Sequence, residues 1–396
     1  MNPEEQLKVL REHAVEIIKE EELAERIKRK GQLRVKLGID ASGPDIHLGF
    51  AVVLRKLRQF QELGHTAVLI VGDFTGKIGD PSGRSKTRPQ LTDDEIKRNM
   101  SRYREQVFKI LRPERTEVRY NSEWLGAMDI NAVIRLASQY TVARIMERDD
   151  FSLRYKDGIP IYIHEILYPL FQAQDSIAVN ADVEIGGTDQ KFNFIVAREL
   201  MKEISMEPQV ILTMPLLEGL DGVRKMSKSF GNLIGITEEP EQIFGKLMSI
   251  PDNLIMRYYE LCTDLFPHKL ADVARQLADS KTNPRDVKFD LAKTIVRMYH
   301  SGDQAQQAAA QFDRVFKDKG VPEQMAEYEV AADRINIVEL LVEAEVFKSR
   351  SEAKRKLKEG AVDIDGHRVT SPDYELNLQK ERVIRVGKRR FLKVRK

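Results

Sequence analysis

The stretch LRVKLGIDASGPDIHLGFAVVLRKLRQFQELGHTAVLIV, residues 33–71, decides the fold. Leu33 to Ile39 alternates apolar and mixed residues, as a strand does. Between Ala51 and Gly64, the residues Val53, Leu57 and Phe60 recur at i, i+4 and i+7, and Gly64 is a suitable stop, so a helix is expected. Ala67 to Val71 is a short apolar run that suits a buried strand. Strand, loop, helix, strand is the βαβ unit of a doubly wound, Rossmann-like parallel sheet, which sets the fold class as α/β. The loop joining the first strand to the helix, DASGPDIHLGF (40–50), holds two aspartates, a serine, two glycines and a histidine. Glycine at a helix N-terminus lets phosphate approach backbone N–H groups, and the helix dipole favours the anion. His47 and Ser42 can each donate to a phosphate oxygen. A histidine with a purely structural role would read the same way.

Further along, 92–112 and 129–150 read as helices. Asp182 to Ile185 reads as a strand entering GGTDQ (186–190) and another helix, and Gln209 to Met214 is a further strand. Beyond about 240 the strand signals fade. The expected organisation is a catalytic domain over 1–232, a helical domain over 233–330 and a small α+β domain over 334–396. Within the last, 334–360 reads as two helices, and DIDGH and KRRFLKVRK read as short strands. The polar loops DASGPDIHLG, GDFTGKIGDPSG (72–83), GGTDQ and KMSKS (225–229) each follow a strand. In a parallel sheet, ligands sit beyond the carboxyl ends of the strands, so four distant loops are expected to converge on one cleft.

Composition narrows the class. A chain of 396 residues suits two or three domains. With 42% hydrophobic and 32% charged residues it reads as an ordinary soluble globular protein. The charged N-terminus does not resemble a signal peptide and no apolar run is long enough to span a membrane, so a cytoplasmic location without membrane contact is expected. A single cysteine, Cys262, excludes a disulfide framework and a multi-cysteine metal site, and reads as a core residue. Residues 334–396 hold 17 Lys and Arg against 10 Asp and Glu, a net +7, which leaves −5 for the rest of a chain whose total is +2. A basic tail on an acidic body suggests a polyanion-binding module, although a solvated charged face has the same composition.

Two lysines three apart in KMSKS, Lys225 and Lys228, can fold over a polyphosphate and neutralise charge on a leaving pyrophosphate. The bland alternative is a basic surface loop. HLG near the first βα turn together with KMSKS resembles the class I aminoacyl-tRNA synthetases. GDPSGR (79–84), the spacing Tyr168-x-x-x-Gln172-x-x-Asp175 and GGTDQ narrow the resemblance to the bacterial-type tyrosyl-tRNA synthetases. It spans nearly the whole chain, and the basic tail is similar to their C-terminal RNA-binding domain.

The resemblance implies ATP, L-tyrosine and tRNA-Tyr as substrates, and a homodimer built through an insertion at about 110–165. It implies that Ser42, His47, Lys225 and Lys228 are catalytic. Asp40, Ser42, His47, Gly49, Gly187, Asp189, Met226 and Lys228 would bind ATP. Gly38, Asp80, Tyr168, Gln172, Asp175 and Gln190 would bind tyrosine, with Asp175 accepting the phenolic hydroxyl. In the tail, Arg350, Lys354, Arg355, Lys356 and Lys358 would bind RNA phosphates. No metal-ligand cluster stands out, so Mg²⁺ is expected only as the ATP complex. On spacing alone, Tyr168, Gln172 and Asp175 at i, i+4 and i+7 also fit one polar stripe of a surface helix.

Three positions depart from the family pattern. Ser42 stands in an Asp-Ala-Ser sequence where relatives commonly have Asp-Pro-Thr. Lys36 stands where some relatives carry a tyrosine that shares the substrate hydroxyl. Phe50 replaces the second signature histidine and so removes a donor. The competing readings are a tryptophanyl-tRNA synthetase, and a non-catalytic RNA-binding scaffold that retained the fold.

Overall fold

The computed structural model describes residues 1–40, 45–82, 92–316, 325–387 and 390–396. Six strands form the main sheet: β1 (Glu16–Ile18), β2 (Arg34–Asp40), β3 (Thr66–Gly72), β4 (Thr116–Tyr120), β5 (Val183–Gly187) and β6 (Val210–Met214). Their order is β1-β6-β5-β2-β3-β4, and every pairing is parallel except β1 with β6. The chain winds outward from β2 in one direction through β3 and β4, and in the other through β5 and β6. The switch point therefore lies between β2 and β5, where such sheets open a ligand cleft at the strands' carboxyl ends.

The central strands are buried because both faces are covered. Val35 and Leu37 of β2, Ala67 to Ile70 of β3 and Val210 to Leu212 of β6 are all buried. Helix α1 (Leu48–Glu62) follows β2 and buries Leu48, Leu54, Leu57 and Phe60. Helix α2 (Ile163–Ala178) packs along helix α3 (Lys191–Glu203) through a cluster that includes Leu170, Phe171, Val196 and Leu200.

The helix expected over 92–112 spans Asp93–Val107, and Pro113, which lacks an N–H, opens a separate turn. The single helix expected over 129–150 is three: Ile130–Ala137, Val142–Ile145 and Asp149–Lys156. The side chain of Thr141 accepts the backbone N–H of Arg144, so a fresh N-cap forms where periodicity alone suggested continuation.

Two compact units divide the chain at Gln306 and Gln307. The helices Pro240–Leu247, Ile255–Cys262, Pro267–Ala278 and Pro284–Tyr299, expected to form a domain of their own, lie in the same unit as the sheet. The second unit begins before Arg334: Ala326–Glu329 pairs in parallel with Arg390–Arg395 in its five-stranded sheet. Helices Ile337–Glu343 and Arg350–Lys358 pack on that unit's core, which includes Leu340, Leu341, Ala353, Leu357, Ile384 and Val394.

Candidate active site

A cavity of about 510 Å³ opens at the carboxyl ends of β2 and β5. Its lining draws on all four polar loops, including Asp40 and His47, Asp80, Gly187, Asp189 and Gln190, and Lys225 to Ser229. Tyr168, Gln172 and Asp175 of α2 also face it, so the i, i+4, i+7 stripe is a pocket wall. Ser42 lies outside the described residues, as do Gly83 and Arg84 of the GDPSGR motif.

Gly38 sits in the middle of a central strand yet lines the cavity, with no atom within 4 Å of where a Cβ would stand. Any side chain there would project into that space, so the bare backbone of β2 leaves room for a flat group against it.

At the deep end, Asp175 is buried and accepts hydrogen bonds from Trp124 Nε1 at 2.8 Å and Asn121 Nδ2 at 3.3 Å. Burial pushes its carboxyl up to about 7, opposed by the positive charge of Lys36 and by those two hydrogen bonds. Lys36 itself is fully buried and turned to Glu184, with Nζ to Oε1 at 2.8 Å. Asn121 lines the cavity and already touches Asp175, so it, rather than Lys36, stands beside the carboxylate on the cavity wall.

Next to it is an anionic region. Tyr168 donates its hydroxyl to Asp40 Oδ2 at 2.8 Å, and Thr75 donates to Asp40 Oδ1 at 2.8 Å. Burial, followed by the charges of Asp40 and Asp80, holds the Tyr168 phenol well above its usual range, so it remains an O–H donor. Asp80 accepts from Gln190 Nε2 at 2.8 Å and from the Ser82 backbone at 2.8 Å. Asn193 Nδ2 bridges Gln172 Oε1 at 3.0 Å and Gln190 Oε1 at 3.1 Å. Two carboxylates with fixed partners suit a cationic group such as an ammonium.

The outer end suits phosphate. His47 caps α1, and its Nδ1 accepts the backbone N–H of Phe50 at 3.3 Å. That contact assigns the ring proton to Nε2, leaving one donor for a ligand. Burial, and then the charges of Lys228 and Lys225, lowers the imidazole to about 4, so it is neutral at physiological pH. A Cβ on Gly49 would stand 3.1 Å from His47 Nδ1 and 3.2 Å from Met226 Cβ, so glycine permits this close packing. Gly49 also donates to Met226 Sδ at 3.4 Å, tying the first loop to KMSKS. Lys225 pairs with Asp189 at 2.7 Å, and Lys228 Nζ stands 5.7 Å from the centre of the Tyr103 ring. Buried Asn232 accepts the Ser227 N–H at 2.9 Å and donates to the carbonyls of Arg224 and Lys225, pinning the lysine loop. Phe50 lines the same cavity with a ring that offers no donor.

The supporting residues Thr75, Asn121, Trp124, Asn193 and Asn232 were not singled out from the sequence. Asn121 and Trp124 lie in YNSEW, just after the charged strand β4, with no spacing that announces a role. In the second unit, Ala353 and Leu357 bury one face of the helix Arg350–Lys358, while Arg350, Lys354, Arg355 and Lys358 are exposed and Lys356 is partly so. Arg350 pairs with Glu339 at 3.0 Å and Lys356 with Glu359 at 2.7 Å.

The pattern of the tRNA synthetases class I (W and Y) matches residues 28–317. That of the tyrosine–tRNA ligase SYY-like C-terminal domain matches 316–394. The tyrosine–tRNA ligase of Thermotoga maritima is 54% identical over 394 residues, covering 100% of this chain and 98% of the relative. The chain belongs to the tyrosine–tRNA ligase family of class I tRNA synthetases. A family member from Moorella thermoacetica is 50% identical over 98% of this chain and 95% of its own length. The fold is also that of a C-terminally truncated mitochondrial tyrosyl-tRNA synthetase from Aspergillus nidulans, with a TM-score of 0.66 at 20% identity, covering 80% of this chain and 94% of that one. The archaeal enzyme of Archaeoglobus fulgidus, solved with L-tyrosine, gives a TM-score of 0.65 at 24% identity over 78% of this chain and 99% of that one.

Proposed function

We propose that the protein activates L-tyrosine with ATP and transfers it to the 3′ end of tRNA-Tyr. The observation that carries this reading is one cavity with three chemically distinct ends: buried Asp175, the Asp40–Asp80–Tyr168–Gln172 region, and the His47–lysine loop. They suit, in order, a phenolic O–H, an α-ammonium and a triphosphate.

Asp175 accepts the phenolic hydroxyl. A substrate without that hydroxyl leaves a buried acceptor unpaired, which disfavours phenylalanine. Asp80, Tyr168 and Gln172 hold the ammonium, and Gln190 lies beside the carboxylate. A carboxylate oxygen of tyrosine attacks the α-phosphorus of ATP, the bond to the bridging oxygen breaks, and pyrophosphate leaves with the electron pair. Neutral His47 donates from Nε2 to the phosphates while Lys225 and Lys228 offset the departing charge. Gly187 and Asp189 face the ribose, and Gly49 and Met226 flank the nucleotide. ATP enters as its Mg²⁺ complex. The tRNA's terminal ribose hydroxyl then attacks the tyrosyl carbonyl and releases AMP.

The helix Arg350–Lys358 offers Arg350, Lys354, Arg355, Lys356 and Lys358 to tRNA phosphates. Exposed Ile130, Ile134, Val142, Leu153, Tyr155, Tyr162 and Ile163 cluster in the stretch expected to form the dimer interface, and large exposed apolar side chains there support a homodimer. Among the described residues no helix is long and apolar enough to cross a membrane; a cytoplasmic site of action is the reading that fits a tRNA substrate. Charging of tRNA-Tyr with labelled tyrosine tests the whole scheme. Tyrosine incorporation is expected, and charging of tRNA-Trp with tryptophan instead would replace it with the rival activity.

A further inference from the structure

Behind the cavity, β2, β5 and α2 enclose a charged network. Lys36 is fully buried and donates three hydrogen bonds: to the Gln172 carbonyl at 3.0 Å, Ser176 Oγ at 2.7 Å and Glu184 Oε1 at 2.8 Å. All three of its N–H bonds are used. Glu184, equally buried, also accepts from Ser176 at 3.2 Å, from Gln209 and from Gln172 Nε2 at 3.3 Å. Replacing a buried pair by apolar residues is often neutral for stability, so stability alone gives no reason for a lysine here.

The network touches both ends of the amino-acid pocket. An ionised Glu184 can only accept, so it holds the Gln172 amide nitrogen on its own side. The Gln172 side-chain oxygen Oε1 is thereby turned to Asn193, where it can also accept from an ammonium. Lys36 also sets a positive charge behind Asp175. The other groups around that carboxylate are Glu184, whose charge opposes Lys36, the donors Trp124 and Asn121, and Tyr168 on its own helix. We propose that the buried Lys36–Glu184 pair is a specificity-determining positioning device: it locks the Gln172 amide and keeps Asp175 a hydrogen-bond acceptor for the phenolic O–H. This rests on the tyrosine-activating function proposed above, and it assigns the position where a pocket tyrosine is missing a role behind the wall instead of in it.

The test is ATP–pyrophosphate exchange on the full chain, with wild type, Lys36→Met and Glu184→Gln, at pH 5.5 to 8.5. A nearby opposite charge moves a carboxylate's pKa by about one to three. In K36M, kcat/KM for tyrosine at pH 6 should therefore fall about tenfold or more, through KM, with the acidic limb moved to higher pH. In E184Q the limb should move to lower pH, and KM for tyrosine should rise as the Gln172 amide is freed. KM for ATP should stay within about twofold in both, because the network does not line the phosphate end. Where K36M does not fold, E184Q decides alone, since Lys36 there retains three oxygen acceptors. Wild type without tyrosine-dependent exchange would overturn the functional reading itself. An active wild type with unmoved limbs and unchanged tyrosine KM in the variants, or with loss spread equally over ATP and tyrosine, would overturn this inference alone.

Discussion

Replacing Asp175 with asparagine exchanges one oxygen for an NH₂ group at almost constant volume. The carboxylate has two oxygens and already serves Trp124 Nε1 at 2.8 Å and Asn121 Nδ2 at 3.3 Å. Asparagine keeps one acceptor and turns the other position into a donor. Asn121 cannot compensate cheaply by flipping, because its Oδ1 accepts the Phe74 N–H at 3.0 Å. One donor in the pocket, from the protein or from the substrate phenol, is then left without an acceptor. A hydrogen bond to a charged group contributes about 1.5–3 kcal/mol, and its loss should lower kcat/KM for tyrosine about ten- to a hundredfold. Phenylalanine has no hydroxyl to lose, so its kcat/KM should hold or rise, and the ratio between the two substrates should collapse. Stability offers a second readout. The folded carboxyl titrates near 7, above its ordinary value, so between about pH 4 and 7 the folded protein keeps a proton that the unfolded chain has lost. Asp175 therefore stabilises fully below that window, and its contribution is lost as pH rises through about 7. The asparagine variant lacks this fall, so its Tm relative to wild type should rise across the window. Exchange assays with both amino acids and thermal melts from pH 4.5 to 8 measure these effects. A D175N protein that keeps the wild-type substrate ratio, or melts with the same pH slope, would refute the assignment.

Four further perturbations address the rest of the site and its attachments. His47→Ala should slow adenylate formation about 10²–10³-fold with little change in KM for tyrosine, while Phe50→His should alter it less than about tenfold; stopped-flow measurement of both compares the donors directly, and a large gain from Phe50→His would give the missing histidine the leading role. A chain ending at Phe316 should retain pyrophosphate exchange and lose most tRNA charging, and equal loss of both would contradict the modular arrangement; a cut at Arg334 would strand Ala326–Glu329 without its partner Arg390–Arg395. Ile134→Glu, at a side chain 61% exposed, should shift sedimentation toward monomer, and an unchanged profile would remove that face from the interface.

The parts of this fold legible in the sequence are those governed by local periodicity. β3 and β6 are short apolar runs, β2 and β5 alternate apolar with other residues, and each of the four polar loops follows one of these strands. β4 was not legible, because Thr116–Tyr120 reads TEVRY and is an edge strand without an apolar run. β1 pairs only with β6, with Glu16 opposite the distant Thr213, and its three residues carry no periodicity. The same division holds in the site. His47, Lys225, Tyr168 and Asp175 are visible through motif spacing, whereas Asn121 and Trp124 act through tertiary contacts that no spacing encodes, and Asn232 acts locally, on the backbone of the lysine loop just before it. Lys36 was legible only as a missing tyrosine; its burial against Glu184 appears once β2 and β5 are paired.

The cavity selects tyrosine and activates it with ATP in the function proposed here. Pyrophosphate exchange with tyrosine, tryptophan and phenylalanine, each at saturating ATP, tests it most directly. Exchange dependent on tyrosine and at least about a hundredfold weaker with the other two is the predicted result, following from the hydrogen bond at Asp175 and the shape of a pocket floored by Gly38. Exchange driven by tryptophan, or by none of the three, would contradict it.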